Sequence, residues 1–260
     1  MTNIVPVHFT YITETTSSGK TDDRYDFLNK IINEEYHTVM KHGKDTATKV
    51  RVDSAIGLND FYTERDGKEV LISAKRNEGG FIHTAPTLNE DEKTRNTFEC
   101  DIVITNVKTI DADPERNLEE KAIVKGAIFD FRKSLLPVEF SVINPNAISY
   151  FMGLEASNTH PVVTKVKGRQ VSETVVRKIE EESAWGEVSV REVTSSRKDW
   201  VITWAQGEPY VWDDESCITA AELTEAMAQR ETYLAGVKSR ADEYKASKNS
   251  APVAKGAFNF

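Results

Sequence analysis

Lys165, Lys167 and Arg169 stand at every second position of one β-branched run, and Lys125, Ala127 and Phe129 do so in another. Side chains two apart on a strand share a face, so the first run presents cations to one side and the second a cation beside an aromatic. Arg132 and Lys133 follow Phe131 directly. Phe61-Tyr62, Lys75-Arg76 and Phe81 (behind Gly79-Gly80) set further aromatics beside cations around what reads as a hairpin tip. Trp185 precedes Gly186 in a polar stretch, an unusual place for a core tryptophan. Lysine and arginine neutralise phosphates, and aromatic faces stack on bases at about 1–3 kcal/mol each. The chemistry these types can do together is to hold a single-stranded polynucleotide. Each also has an ordinary role: Phe129 and Phe131 as strand core, Lys165, Lys167 and Arg169 as a solvated sheet face, and Trp200 and Trp204 as core on one face of a short strand.

Charge points to the same region. Lys121–Ile179 holds nine basic residues against four acids, a local +5 in a chain of net charge −9. The residues before it sum to −8 and those after it to −6. A basic island in an acidic chain is the footprint expected of a polyanion contact, with the acidic remainder confining the contact to one path.

Other chemistries find little support. The motifs GxxxxGK[ST], GxGxxG and GxSxG are absent, and the five histidines form no HxxxH or HExxH pattern. Cys100 and Cys217 are far apart without CxxC context and read as small hydrophobes rather than metal ligands or nucleophiles. Asp53, Asp60, Glu64 and Asp66 cluster in sequence as a nuclease would require, but acids beside an Asp-Gly turn are normally solvated. The expectation is a binding protein with neither catalysis, cofactor nor metal. No apolar run approaches the roughly 20 residues of a membrane span, and the N-terminal residues show no signal-peptide pattern, so the expected setting is the cytoplasm.

The elements that must position these residues follow from periodicity. Val5–Ile12 alternates as an arm or edge strand, and Asp22–Met40 reads as one amphipathic helix closed by Gly43. Thr48–Ile56 and Lys68–Ala74 read as strands about the Asp66-Gly67 turn, the second ended by Asn77-Glu78-Gly79-Gly80. Thr97–Ile110, Ala122–Phe131, Leu136–Ile143, Val162–Ile179 and Asp199–Ala205 give five more strands, with a short helix at Asn146–Leu154 and a polar loop or loose hairpin at Glu180–Ser196. Five strands with a helix between the third and fourth is the layout of an OB barrel, and Gly126 and Gly168 fall where small barrels coil tightly. A β-sandwich or meander of the same strand count is the competing layout. The expected fold is therefore mainly β with peripheral helices (α+β): an N-terminal extension over 1–96, an OB-like core over 97–205, an acidic connector and C-terminal helix over 206–247, and a tail over 248–260.

The segment LPVEFSVINPNAISYFMGLEASNTHPVVTKVKGRQVSETVV runs strand, polar turn, helix, loop, then V-x-V-x-G-R. In this it resembles the single-stranded DNA-binding proteins, and with its insertions and long C-terminal helix it looks more like a phage-encoded version. The resemblance covers about residues 97–205 and implies sequence-tolerant binding of single-stranded DNA in phage replication or recombination. Family members recruit replication partners through an acidic tail with a terminal aromatic. Here Phe258 and Phe260 supply the aromatic without the acids. The C-terminal helix opens on a capping box, Thr219 with Glu222, and spaces Leu223, Met227, Arg230, Leu234, Val237, Ala241 and Tyr244 by threes and fours. Its own barrel, a second copy of the chain, or a replication or recombination protein are the candidate partners of that stripe. A phage tail or neck protein, assembling without nucleic acid, is the alternative function.

Overall fold

A computed structural model describes residues 3–89, 91–113, 119–182, 185–186, 188–215 and 218–250. Its centre is a closed barrel of five strands, β4 (Thr97–Ile110), β5 (Lys121–Phe129), β6 (Leu135–Val142), β7 (Val162–Glu182) and β8 (Val188–Ala205). The order around the barrel is β4-β5-β6-β8-β7, with β7 returning to β4. This is the OB arrangement, and the sandwich and meander layouts fall away. Closure requires β4 to serve two neighbours. Its residues Thr97–Ile104 pair with β7, while Val103–Ile110 pair with β5 across a bulge between Ile104 and Asn106. Gly126 sits opposite that bulge, where any side chain would drive into the Val103 carbonyl. Gly168 marks the second bulge and packs against the Val201 carbonyl and the Phe98 ring.

Alternation fills the interior: Ile102, Ile104, Val124, Phe140, Val142 and Val166 are buried on the inner face. Asn144 caps α3 (Pro145–Gly153) by accepting from the amides of Asn146 and Ala147. Ile148 and Phe151 on that helix belong to the same core. Leu58 of the N-terminal hairpin joins it too, so residues 50–84 share the barrel's core.

That hairpin, β2 (Val50–Arg65) and β3 (Lys68–Thr84), is much longer than its periodicity predicts. Asp66 and Gly67 both take positive φ, the primed turn that an Asp-Gly pair favours. Gly79-Gly80 does not end β3. Gly80 is the extra residue of a bulge opposite Asp53 and Ser54, and pairing continues to Thr84. β1 (Val7–His8) adds in parallel to the other edge of β3, at Asn77 and Glu78. The single helix expected over Asp22–Met40 is two. α1 (Asp23–Ile32) starts at the Asp22 cap, Glu34 turns left-handed, and Tyr36 folds back onto Phe27 before α2 (Val39–His42).

Of the loop or loose hairpin expected at Glu180–Ser196, the structure has the hairpin, with strand to Glu182 and again from Val188. β7 and β8 pair from Val166 to Glu182, so a two-stranded ribbon projects beyond the barrel. α4 (Ala220–Ser250) begins with the expected capping box: Thr219 Oγ1 accepts from the Glu222 amide at 3.2 Å, and Glu222 Oε2 accepts from the Thr219 amide at 3.0 Å. The helix packs on its own chain. Leu223 and Ala226 cover the outer face of the barrel, and further along Arg230 forks onto Asp60 of β2 at 2.8 and 2.6 Å. Asp60 is 1% and Arg230 11% exposed, so the carboxylate named as a nuclease candidate is a structural ion. Among the described residues no helix is long and apolar enough to cross a membrane.

Removing one partner of a buried pair strands the other charge at about 3–5 kcal/mol. Arg230→Ala is therefore expected to lower the unfolding free energy in urea by about 3 kcal/mol.

Candidate functional site

The outer face of β5 and β6 is where an OB barrel takes its ligand, and here it forms the floor of a cleft of about 670 Å³. Ile123 and Lys125 come from β5, Glu139 and Ser141 from β6, Lys198 and Trp200 from β8. Ser73 to Asn77 of β3 and residues 4–6 and 8 of the N-terminal arm close its other sides. The floor crosses the barrel's thinnest seam, since β6 and β8 touch in parallel through the single pair Ser141 and Val201.

Lys75 reaches into this cleft from β3. Its half-buried ammonium donates to the Glu139 carbonyl and lies 5.0 Å from the Phe140 ring centre and 5.6 Å from that of Trp200. Burial pushes its pKa down to about 8, against the pull of the Glu139 and Asp199 carboxylates. Phe98, Phe140 and Trp200 stand together beneath it, with ring centres 4.9 to 6.3 Å apart. Lys198, which sequence reasoning passed over, is an exposed cation of the cleft with no carboxylate partner among the described residues.

Most cations of the basic island already have acids. Lys125 pairs with Glu139 at 2.6 Å, Lys121 with Asp199 at 3.2 Å, and Lys133 with Glu222 at 2.5 Å. Lys165 and Lys167 both face Glu99, at 3.9 and 3.1 Å. Asp101 and the Tyr210 hydroxyl hold the Lys165 ammonium's pKa above its ordinary value. Lys165, Lys167 and Arg169 do share one face, but opposite the first half of β4, whereas Lys125 lies against its second half. Between these two groups Leu223 and Ile218 sit on Val103, Val163 and Phe129. The island is thus divided by the start of α4, and its cations line no single groove.

The aromatics separate likewise. Phe129 is partly buried and packs with Leu223. Phe131 lies past the end of β5, 87% exposed, with the Arg132 guanidinium 5.0 Å from its ring centre. Trp185 is 80% exposed at the ribbon's tip. Fourteen residues separate it from Val171, roughly 45 Å at the strand rise of about 3.3 Å per residue. The hairpin residues do not gather at a tip: Phe61 and Tyr62 pair with Ile72 and Leu71, Lys75 and Arg76 with Leu58 and Gly57, and Phe81 with Asp53. Tyr62 lies under Lys238 of α4, Arg76 bonds Glu78, while Phe61 and Phe81 are exposed. Trp200 and Trp204 are on opposite faces, because the bulge in β8 between Ile202 and Trp204 reverses the alternation. Trp204 is partly exposed under Lys167, a platform the period-2 reading missed. Phe258 and Phe260 lie outside the described residues.

Residues 4–240 match the model of the YorF family. The chain belongs to that family. Its description is the name alone and assigns no activity to the cleft. No curated protein matches this YorF-family chain.

Lys75 carries a pH signature. Its folded pKa of about 8 lies below the ordinary 10.5, so the charged form is disfavoured in the fold and the unfolded chain binds the extra proton between those values. Stability of the wild type relative to Lys75→Met should therefore rise as pH climbs from 8 towards 10.5, as followed by urea denaturation.

Proposed function

We propose that the chain binds single-stranded DNA without sequence preference, holding it across the β5–β6 face by phosphate neutralisation and base stacking, in phage replication or recombination in the cytoplasm of a host cell. The observation that carries this reading is the cleft itself. It lies on the ligand face of an OB barrel, with Lys75 and Lys198 lacking carboxylate ion-pair partners among the described residues and the half-buried Trp200 lining it beneath Lys75, backed by the core rings of Phe98 and Phe140. Strand binding needs both kinds of group in one place. Lys125 contributes once a phosphate competes with Glu139, an exchange available to an exposed pair because such pairs are worth only about 0–1 kcal/mol. Trp185 extends the path along the β7–β8 ribbon. It can meet only a strand long enough to follow that ribbon.

The competing reading, a tail or neck protein with no affinity for nucleic acid, draws on the ion pairs that satisfy Lys121, Lys125, Lys133, Lys165 and Lys167 within the chain.

Fluorescence polarisation with oligo(dT) separates the two. Binding should weaken steeply from about 50 to about 200 mM salt, and Lys198→Ala should reduce the log–log salt slope by about 0.7, one phosphate contact. Affinity absent at low salt, or indifferent to salt, removes the proposal. Trp185→Ala should leave a short oligonucleotide's affinity unchanged and cost about tenfold on one long enough to span the ribbon.

A further inference from the structure

The N-terminal arm is a wall of the cleft and also a bridge across one side of it. Val7 and His8 pair with Asn77 and Glu78 on β3, while Asn3 reaches β7. Asn3 Nδ2 donates to the Gln170 carbonyl at 2.9 Å, and Asn3 Oδ1 accepts from the Ser172 amide at 2.6 Å. These two backbone groups lie beyond Thr97, where β4 no longer pairs with β7. One side-chain amide therefore stands in for the missing strand. Ile4, Val5 and Pro6, between the two anchors, line the cleft, as does His8 of the inner anchor.

The anchors differ in strength. At the inner end the Pro6 carbonyl accepts from Asn77 Nδ2 at 3.0 Å, and Asn77 is buried and exchanges a second pair of hydrogen bonds with the Gln170 side chain. Phe9 then packs against Gly79, where a side chain would collide with its ring. At the outer end Asn3 is exposed, and Ile4 beside it is 70% exposed. Exposed hydrogen bonds compete with water and open first. The arm is thus held firmly from Pro6 inwards and lightly at Asn3.

We propose that residues 3–6 are a gate on the cleft: the segment releases β7 at Asn3, pivots about Pro6, admits a polynucleotide strand sideways, and closes over it. This rests on the cleft being the strand-binding site. A linear strand can thread beneath a closed arm by an end, whereas a covalently closed circle must wait for the gate. Stopped-flow association of the full chain with linear oligo(dT), and with the same oligonucleotide closed into a circle, reads the difference. The wild type should take the circle several-fold more slowly than the linear form. Asn3→Ala, which removes both outer anchors at an exposed position, should raise the circle's association rate about threefold or more and leave the linear rate unchanged. Equal rates for circle and linear form in the wild type, or no effect of Asn3→Ala on the circle, overturn the gate while leaving the strand-binding reading standing. Failure of the wild type to bind the linear form overturns both, and loss of linear binding in Asn3→Ala alone overturns the gate.

Discussion

One strand has to belong to two sheets. A five-stranded barrel of this size closes only if β4 bends enough to pair with β7 along its first half and β5 along its second. The bend is sharp because an extra residue is inserted between Ile104 and Asn106, and because Gly126 allows the Val103 carbonyl to come close. Much follows from that bend. It closes the interior around Ile102 and Ile104, and it divides the outer surface into a β7 side and a β5 side. Past Thr97 the edge of β7 that faced β4 is left for the N-terminal arm to use.

The electrostatics of the surface are local. A net +5 over Lys121–Ile179 describes a segment, and the fold sets acids from other segments against it: Glu99 on β4, Asp199 on β8, Glu222 on α4. Glu222 illustrates the cost of a simple count. Lys133 and the Thr219 backbone and hydroxyl together bring its carboxyl down to about 2, so one carboxylate caps a helix and neutralises a cation of the island at once. Lys75 and Lys198, from outside that segment, face the cleft where the N-terminal sheet and the barrel meet.

Legibility varied with how local the determining physics was. The Asp66-Gly67 turn, the Thr219 and Glu222 capping box, the short helix expected at Asn146–Leu154 (observed over Pro145–Gly153) and the span of β4 are all set by neighbours in sequence, and the structure has each of them. The length of β2 and β3 was not readable, because Gly79-Gly80 signals either a strand end or a bulge and only a paired strand decides between them. The two-part helix at Asp22–His42 escaped for a similar reason. Its apolar spacing continues through Glu34, while the ring contact of Phe27 with Tyr36 turns the chain back.

Trp200 and Trp204 show where sequence reading stops for the site. Alternation puts residues four apart on one face, and a single inserted residue in β8 moves them to opposite faces, one to the cleft and one to the outer side beside Lys167. The sequence by itself determined the strand set, the barrel class, the glycines that permit closure and the capped C-terminal helix, since periodicity, turn chemistry and capping act over a few residues. Tertiary structure alone decided which cations meet acids, that Leu223 of α4 packs with Phe129, and that Lys75 and residues 4–8 face the β5–β6 surface. Those outcomes depend on contacts between residues far apart in the chain, and no local pattern records them.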